Sequence, residues 1–183
     1  GDGAQAQHQE PADEHHLTFA GALGEMHGAI DKMLAASDVA SGGEHREILE
    51  TYRMFAEDAG WLARIHEAIE TGLTGEAAVI KVRNDTRVRF RQQTDPYLRE
   101  RLHDFEDLAN RLLMHLAGDP DPVPKSGGDK DIIMFARNMG PAELLDYDRS
   151  HLKGLVLEEG SATTHVAIVA KALDIPVIGR AAD

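Results

Sequence analysis

The sequence predicts an α+β, multidomain chain in which an antiparallel helical bundle is followed by a partial α/β domain. Two observations carry this. Up to residue 117 apolar side chains recur at the three-to-four spacing of amphipathic helices, whereas past residue 130 short apolar runs alternate with helical stretches. Between them, Gly118-Asp-Pro-Asp-Pro-Val-Pro-Lys-Ser-Gly-Gly128 concentrates residues that end helices and resist strands. With 183 residues and 42% hydrophobic content, the chain has enough apolar material for two small cores.

Residues 1–16 are polar and aperiodic and are expected to form a flexible lead-in. The bundle is expected over 17–117. Its first helix carries Leu17, Ala20, Leu23, Met26, Ile30 and Leu34 at helical spacing and stops in the Ser37 to Gly43 turn region. A second helix offers Ile48, Tyr52, Met54 and Phe55 as its inner face. Asp58-Ala-Gly60 breaks the chain before a short helix over Trp61 to Ile69, and Gly72-Leu-Thr74 separates it from the next. Thr74 is a good cap for a helix bearing Ala77, Ala78, Ile80, Val82 and Val88. Asp95 followed by Pro96 opens a long helix through Leu98, Leu102, Phe105, Leu108, Leu112 and Leu116. After a linker over 118–129, the α/β domain spans 130–183. Asp131 to Ala136 and Leu152 to Leu157 read as strands, Pro141 to Tyr147 as a short helix, and partly parallel pairing is expected.

Composition excludes several classes of function. A net charge of −13 repels a nucleic-acid backbone, so no nucleic-acid binding is expected. Residues 1–70 hold 14 Asp or Glu against 4 Lys or Arg, which points to a basic partner, although acidic helices also serve solubility alone. No run approaches the roughly 20 apolar residues needed to span a bilayer, and the N-terminus shows no apolar signal region, so a cytoplasmic location is expected. The chain has no cysteine, which removes disulfides, thiolate metal sites and cysteine nucleophiles. His66-Glu-Ala-Ile-Glu70 imitates a zinc-protease helix but lacks the second histidine, and reads as a solvated face.

The informative stretch is Gly160-Ser-Ala-Thr-Thr-His165-Val-Ala-Ile-Val-Ala-Lys171, a small-residue loop, one histidine and an apolar helical run. A histidine picked at random is more often a solvated or core side chain than a catalyst. Here, however, the ring stands at a helix start, where unpaired N–H groups and the helix dipole favour an anion. The same field disfavours an imidazolium, so a neutral, nucleophilic His165 is expected near pH 7. Thr163 and Thr164 are candidates to cap the helix or to donate to phosphate oxygens. Asp174-Ile-Pro-Val-Ile-Gly179 then reads as a turn into a short buried strand.

These residues resemble the phosphohistidine motif of enzyme I of the phosphoenolpyruvate phosphotransferase systems, Gly-Gly-x-Thr-Ser-His-x-Ala-Ile-x-Ala-Arg. The departures are Ser161 for the second glycine, Thr164 for serine and Lys171 for arginine. Pyruvate phosphate dikinase and phosphoenolpyruvate synthase carry similar phosphohistidine domains but lack the helical bundle. The segment from Thr86 to Leu112 is similar to the enzyme I run into its long helix, most like the nitrogen-type paralogue, and Asn138-Met-Gly-Pro-Ala-Glu-Leu144 resembles the element beside the phosphohistidine.

The resemblance implies a swivelling phosphohistidine domain and a phosphoryl relay from phosphoenolpyruvate to His165, then to an HPr-like (NPr) phosphocarrier. Gly160, Ser161, Thr163, Thr164 and Lys171 would steady the phosphoryl group, with Lys171 more suited to neutralising a surface because it lies nearly two turns on. Glu25, Asp31, Glu47 and Glu50, on the first two helices, are expected to bind the carrier. No metal is expected in this chain; the phosphoenolpyruvate and Mg2+ site is implied on a C-terminal barrel, and the parent is implied to be a homodimer. Sugar-type enzymes I tend to carry threonine before the motif proline where this chain has Gly140, so Thr163 or a backbone carbonyl is expected to orient the His165 ring. The competing readings are a non-catalytic carrier-docking helical module and a dikinase-type swivelling domain.

Overall fold

The computed structural model describes residues 12–118, 130–160 and 163–179. Most of the 118–129 linker, residues 1–11, Ser161 and residues 180–183 lie outside the described residues. The fold is mostly helical with a small parallel sheet, as the sequence predicts. Helices α1 (Ala12–Ala35), α3 (Glu44–Ala56), α4 (Ala59–Glu70), α5 (Gly75–Phe90) and α6 (Pro96–Leu116) form the bundle, with a one-turn α2 (Ser37–Ala40) between the first two. The sheet holds β1 (Ile132–Ala136), β2 (Leu152–Leu157) and β3 (Val177–Ile178), and α7 (His165–Ala172) connects the last two strands.

Local chemistry sets the bundle's boundaries. Asp58, Thr74 and Asp95 each take an N-cap position and accept from a backbone N–H, and Pro96 opens α6. The first helix begins at Ala12, five residues ahead of the expected start, because Ala, Glu and Asp suit a first helical turn without contributing to an apolar stripe. Phe19, Ala22, Met26 and Ile30 of α1 are buried, whereas Ala20, expected inside, is exposed. Full burial of each large apolar side chain contributes about 1.5–3 kcal/mol.

Three further expected core positions face outward. Met54 is 73% exposed, Ile80 39% and Val88 60%. The true inner face of α3 is His45, Leu49, Tyr52 and Ala56, and that of α5 is Gly75, Ala78, Val79, Val82 and Thr86. Both follow helical spacing once small and polar residues are admitted, so hydrophobicity alone misplaced the stripe. Trp61 joins α4 to its neighbours by packing edge-on to Phe105 and donating Nε1–H to the Phe55 carbonyl at 2.7 Å.

All strand pairs are parallel, in the order β1-β2-β3, with Ile133 opposite Gly154 and Leu155 opposite Val177. A 3-10 turn over Glu143–Asp146 replaces the short helix expected between β1 and β2. One sheet face packs Leu152, Leu155 and Leu157 on Met139, Leu144, Val166, Ala170 and Ile175. The other face shows Ile133, Phe135 and Ile178 to solvent. Helix α7 closes with Asp174 at φ 57°, while Ile175 N–H bonds the Ala170 carbonyl at 2.9 Å and Asp174 N–H that of Lys171. That Schellman ending turns the chain sharply into β3. On its other side α7 meets the bundle, where Val169 is buried in the same cluster as Tyr52 and Leu112.

Candidate functional site

His165 is the first residue of α7, and Thr164 occupies the N-cap position without a side-chain cap hydrogen bond. A carboxylate from the bundle meets that helix start instead. The His165 backbone N–H donates to Glu100 Oε2 at 3.1 Å. One turn along α6, Asp104 places Oδ1 and Oδ2 at 3.0 and 3.1 Å from His165 Nδ1. Asp104 is 1% exposed, so this contact is sheltered from water. The anion at the start of α7 is therefore protein-supplied, and ring orientation comes from Asp104 rather than from Thr163 or a backbone carbonyl.

This arrangement corrects the expected ring chemistry. The Asp104 hydrogen bond raises the His165 pKa above its ordinary value; burial opposes it, the charges of Asp104 and Glu100 add to it, and Arg101 subtracts. Two nearby carboxylates outweigh one helix terminus because they are full charges in direct contact. Glu100, Asp104 and His165 each offer a ligand atom within 4.8 Å of the others, a set that could hold a divalent cation. Both carboxylates already accept hydrogen bonds from His165, so their present task is to orient it.

A cavity of about 380 Å³ adjoins the loop, lined in part by Glu100, Asn138, Gly160, Thr163 and Thr164. Gly160 packs close to Thr164, where an added Cβ would lie 3.5 Å from Cγ2. Thr163, Thr164 and Gly160 are thus brought together beside His165. Lys171 is not: it lies exposed in the last turn of α7, about 9 Å along the helix axis from His165. Glu25, Asp31, Glu47 and Glu50 are exposed on α1 and α3. Three of them already meet cations or histidine: Asp31 pairs with Arg53 at 2.7 Å, Glu50 with Arg46 at 2.8 Å, and Glu25 approaches His115 at 3.4 Å.

A second, buried network ties the sheet layer to the bundle. Asp107 accepts from the Tyr52 hydroxyl at 3.1 Å and from the Ala142 N–H at 3.1 Å. Arg111 grips Asp146 through two bonds of 2.8 and 2.9 Å and donates to Tyr52 at 3.2 Å. Burial pushes Asp107 up to about 6, against the nearby Arg111 charge, and burial with the Asp107 charge pushes Glu143 up to about 7. Gly140 is essential to this fit, because an added Cβ would fall 2.3 Å from Asp107 Cβ. Sequence reasoning missed Glu100, Asp104, Asp107 and Arg111. The available signal was their phase, since Asp104 and Arg111 lie one turn either side of the buried Leu108 on the inward face of α6.

The architecture is that of the N-terminal region of enzyme I. The NMR solution structure of Enzyme I matches with a TM-score of 0.64 at 27% identity, covering 96% of this chain and 71% of that one. The N-terminal domain of Enzyme 1 - Nitrogen matches at 0.62 and 26% identity, covering 97% and 72%. Residues 2–101 match the model of the PEP-utilising enzyme, N-terminal family, and residues 128–183 that of the PEP-utilising enzyme mobile domain. The chain belongs to the PEP-utilising enzyme family. A phosphoenolpyruvate-protein phosphotransferase of Streptomyces coelicolor is 35% identical over 151 residues, which is 82% of this chain and 27% of that protein. No helix among the described residues is long and apolar enough to cross a membrane.

Proposed function

We propose that this chain is the phosphohistidine-bearing, carrier-docking part of a phosphoenolpyruvate-protein phosphotransferase of the nitrogen type. His165 receives a phosphoryl group and passes it to a histidine of an HPr-like (NPr) carrier. The observation that carries this reading is the bond from buried Asp104 to His165 Nδ1. With the ring proton held at Nδ1, the Nε2 lone pair is the one available for attack on phosphorus. In the forward step the Nε2–P bond forms as the donor's bond to phosphorus breaks, and Asp104 balances the positive charge that develops on the ring. The reverse of the same step delivers the group to the carrier histidine, which needs in-line approach and positioning rather than covalent help from other residues.

Thr163, Thr164, Gly160 and Ser161 steady the phosphoryl group, Lys171 contributes only to the surrounding surface charge, and Glu25, Asp31, Glu47 and Glu50 form the carrier's acidic rim. The resemblance puts phosphoenolpyruvate and Mg2+ on a domain beyond this chain, in a parent that functions as a homodimer. The nitrogen-type reading draws support from the Thr86 to Leu112 segment and from the likeness to the Enzyme 1 - Nitrogen domain.

Intact mass at neutral to mildly basic pH, after mixing with a phosphorylated HPr-like carrier, tests the proposal. A gain of one phosphoryl group by the parent and none by His165→Ala is expected. No gain by a folded parent would reduce the chain to a docking module, and gain by the folded variant would move the acceptor elsewhere.

A further inference from the structure

Seven of the 19 Lys and Arg residues fall between Lys81 and Arg101, against three acids in the same stretch, within a chain whose net charge is −13. The structure gathers part of this charge in one place. A cavity of about 590 Å³ lies where the end of α5, the start of α6 and the end of β1 meet, and Arg87, Arg91, Arg99 and Arg137 line it. Two of these are neutralised, Arg87 by Glu106 at 2.7 Å and Arg137 by Glu159 at 2.8 Å. The other two have no carboxylate partner among the described residues: Arg99 reaches only the Gln93 carbonyl, at 3.4 Å, and the Arg91 guanidinium makes no hydrogen bond or ion pair. Arg99, His103 and Asn138 also wall the smaller cavity beside Gly160, Thr163 and Thr164, so the two spaces adjoin.

We propose that this groove is an anion subsite through which a phosphorylated carboxylic acid, the class of donor the relay uses, is held beside the His165 loop by Arg91 and Arg99. The inference rests on the relay reading. Glu100 and Asp104 repel an incoming dianion, so positive charge is needed within reach, and two uncompensated guanidiniums supply it in the fork geometry that suits phosphate and carboxylate. Phe90 and Leu102 give the same cavity apolar wall for a short carbon skeleton. The acidic surface of α1 and α3 is left to the carrier, so donor and acceptor would approach surfaces of opposite sign.

The test is a titration of the full chain with phosphoenolpyruvate and, separately, inorganic phosphate, reading the arginine Nε–Hε NMR signals of the parent and of the Arg91→Glu/Arg99→Glu variant. Both arginines are exposed, so the variant should keep its fold, which circular dichroism checks. Phosphoenolpyruvate should shift the Arg91 and Arg99 signals, bind more tightly than phosphate, and weaken at least about tenfold in the variant, as loss of one charge-assisted contact requires. Unmoved signals, or equal binding by the variant, would overturn the subsite. Phosphate binding as tightly as phosphoenolpyruvate would overturn the phosphorylated-carboxylate assignment. Phosphoryl uptake from the carrier is measured in the same preparations: uptake without anion binding sinks the groove alone, and anion binding without uptake sinks its role with a donor.

Discussion

Replacing Asp104 by asparagine keeps the shape of the site and removes one charge. Asp104 is 1% exposed and sits 3.0 Å from His165 Nδ1, so the lost interaction is a sheltered hydrogen bond to a charged group, worth about 1.5–3 kcal/mol. If that bond stabilises the ring as Nε2 attacks, phosphoryl transfer should slow by about ten- to about 150-fold. The variant's His165 should also titrate lower than the parent's, because the Asp104 hydrogen bond is the main cause of the upward shift. The sign for stability follows. A raised folded-state pKa gives stability that is complete below the unfolded imidazole value and fades as pH rises through the folded one, so Asp104→Asn should lose most near pH 5.5 and least above the folded value. Imidazole NMR titration, rapid-quench phosphoryl transfer and denaturant unfolding at two pH values read these effects. Parent-like transfer and an unmoved titration in Asp104→Asn would refute the assignment of Asp104.

Gly140→Ala should destabilise the chain by about 1–3 kcal/mol or more in urea unfolding, because its Cβ would strike Asp107 at a backbone that cannot give way cheaply. Arg111→Met should cost about 3–5 kcal/mol, since it strands Asp107 and Asp146 without their cation, and the loss should fall when Asp146→Asn is added. Glu143, pushed up to about 7, penalises folding progressively as pH rises from its unfolded value toward 7. Glu143→Gln should therefore be more stable than the parent at pH 8, by about 2 kcal/mol, with the advantage shrinking toward pH 5; an advantage independent of pH would contradict this.

The bundle was legible because its boundaries are chemical. Asp58, Thr74 and Asp95-Pro96 act locally, and they start helices wherever the chain then goes. Burial was less legible. Met54, Ile80 and Val88 are apolar yet face outward, while Gly75 and Thr86 face inward, because which side of a helix is covered depends on partners distant in sequence. His165 stood out through its own neighbours, but Glu100 and Asp104 lie 65 and 61 residues away from it. Nothing local distinguishes those acids from the many solvated ones on α6, and only the docking of α7 against the bundle gives them a task.

Asp104, Asp107 and Arg111 follow one another at intervals of three and four residues on α6, all buried. One helix thus works as a ruler with its marks set by the 1.5 Å rise per residue, one end aligned to the imidazole and the other, about 10 Å away, to the Glu143–Asp146 turn. The chain between Gly118 and Lys130 can lengthen or shorten without moving either mark. A single residue inserted between Asp104 and Arg111 would instead rotate one end by about 100° relative to the other, so that the ring and the turn could not both be engaged.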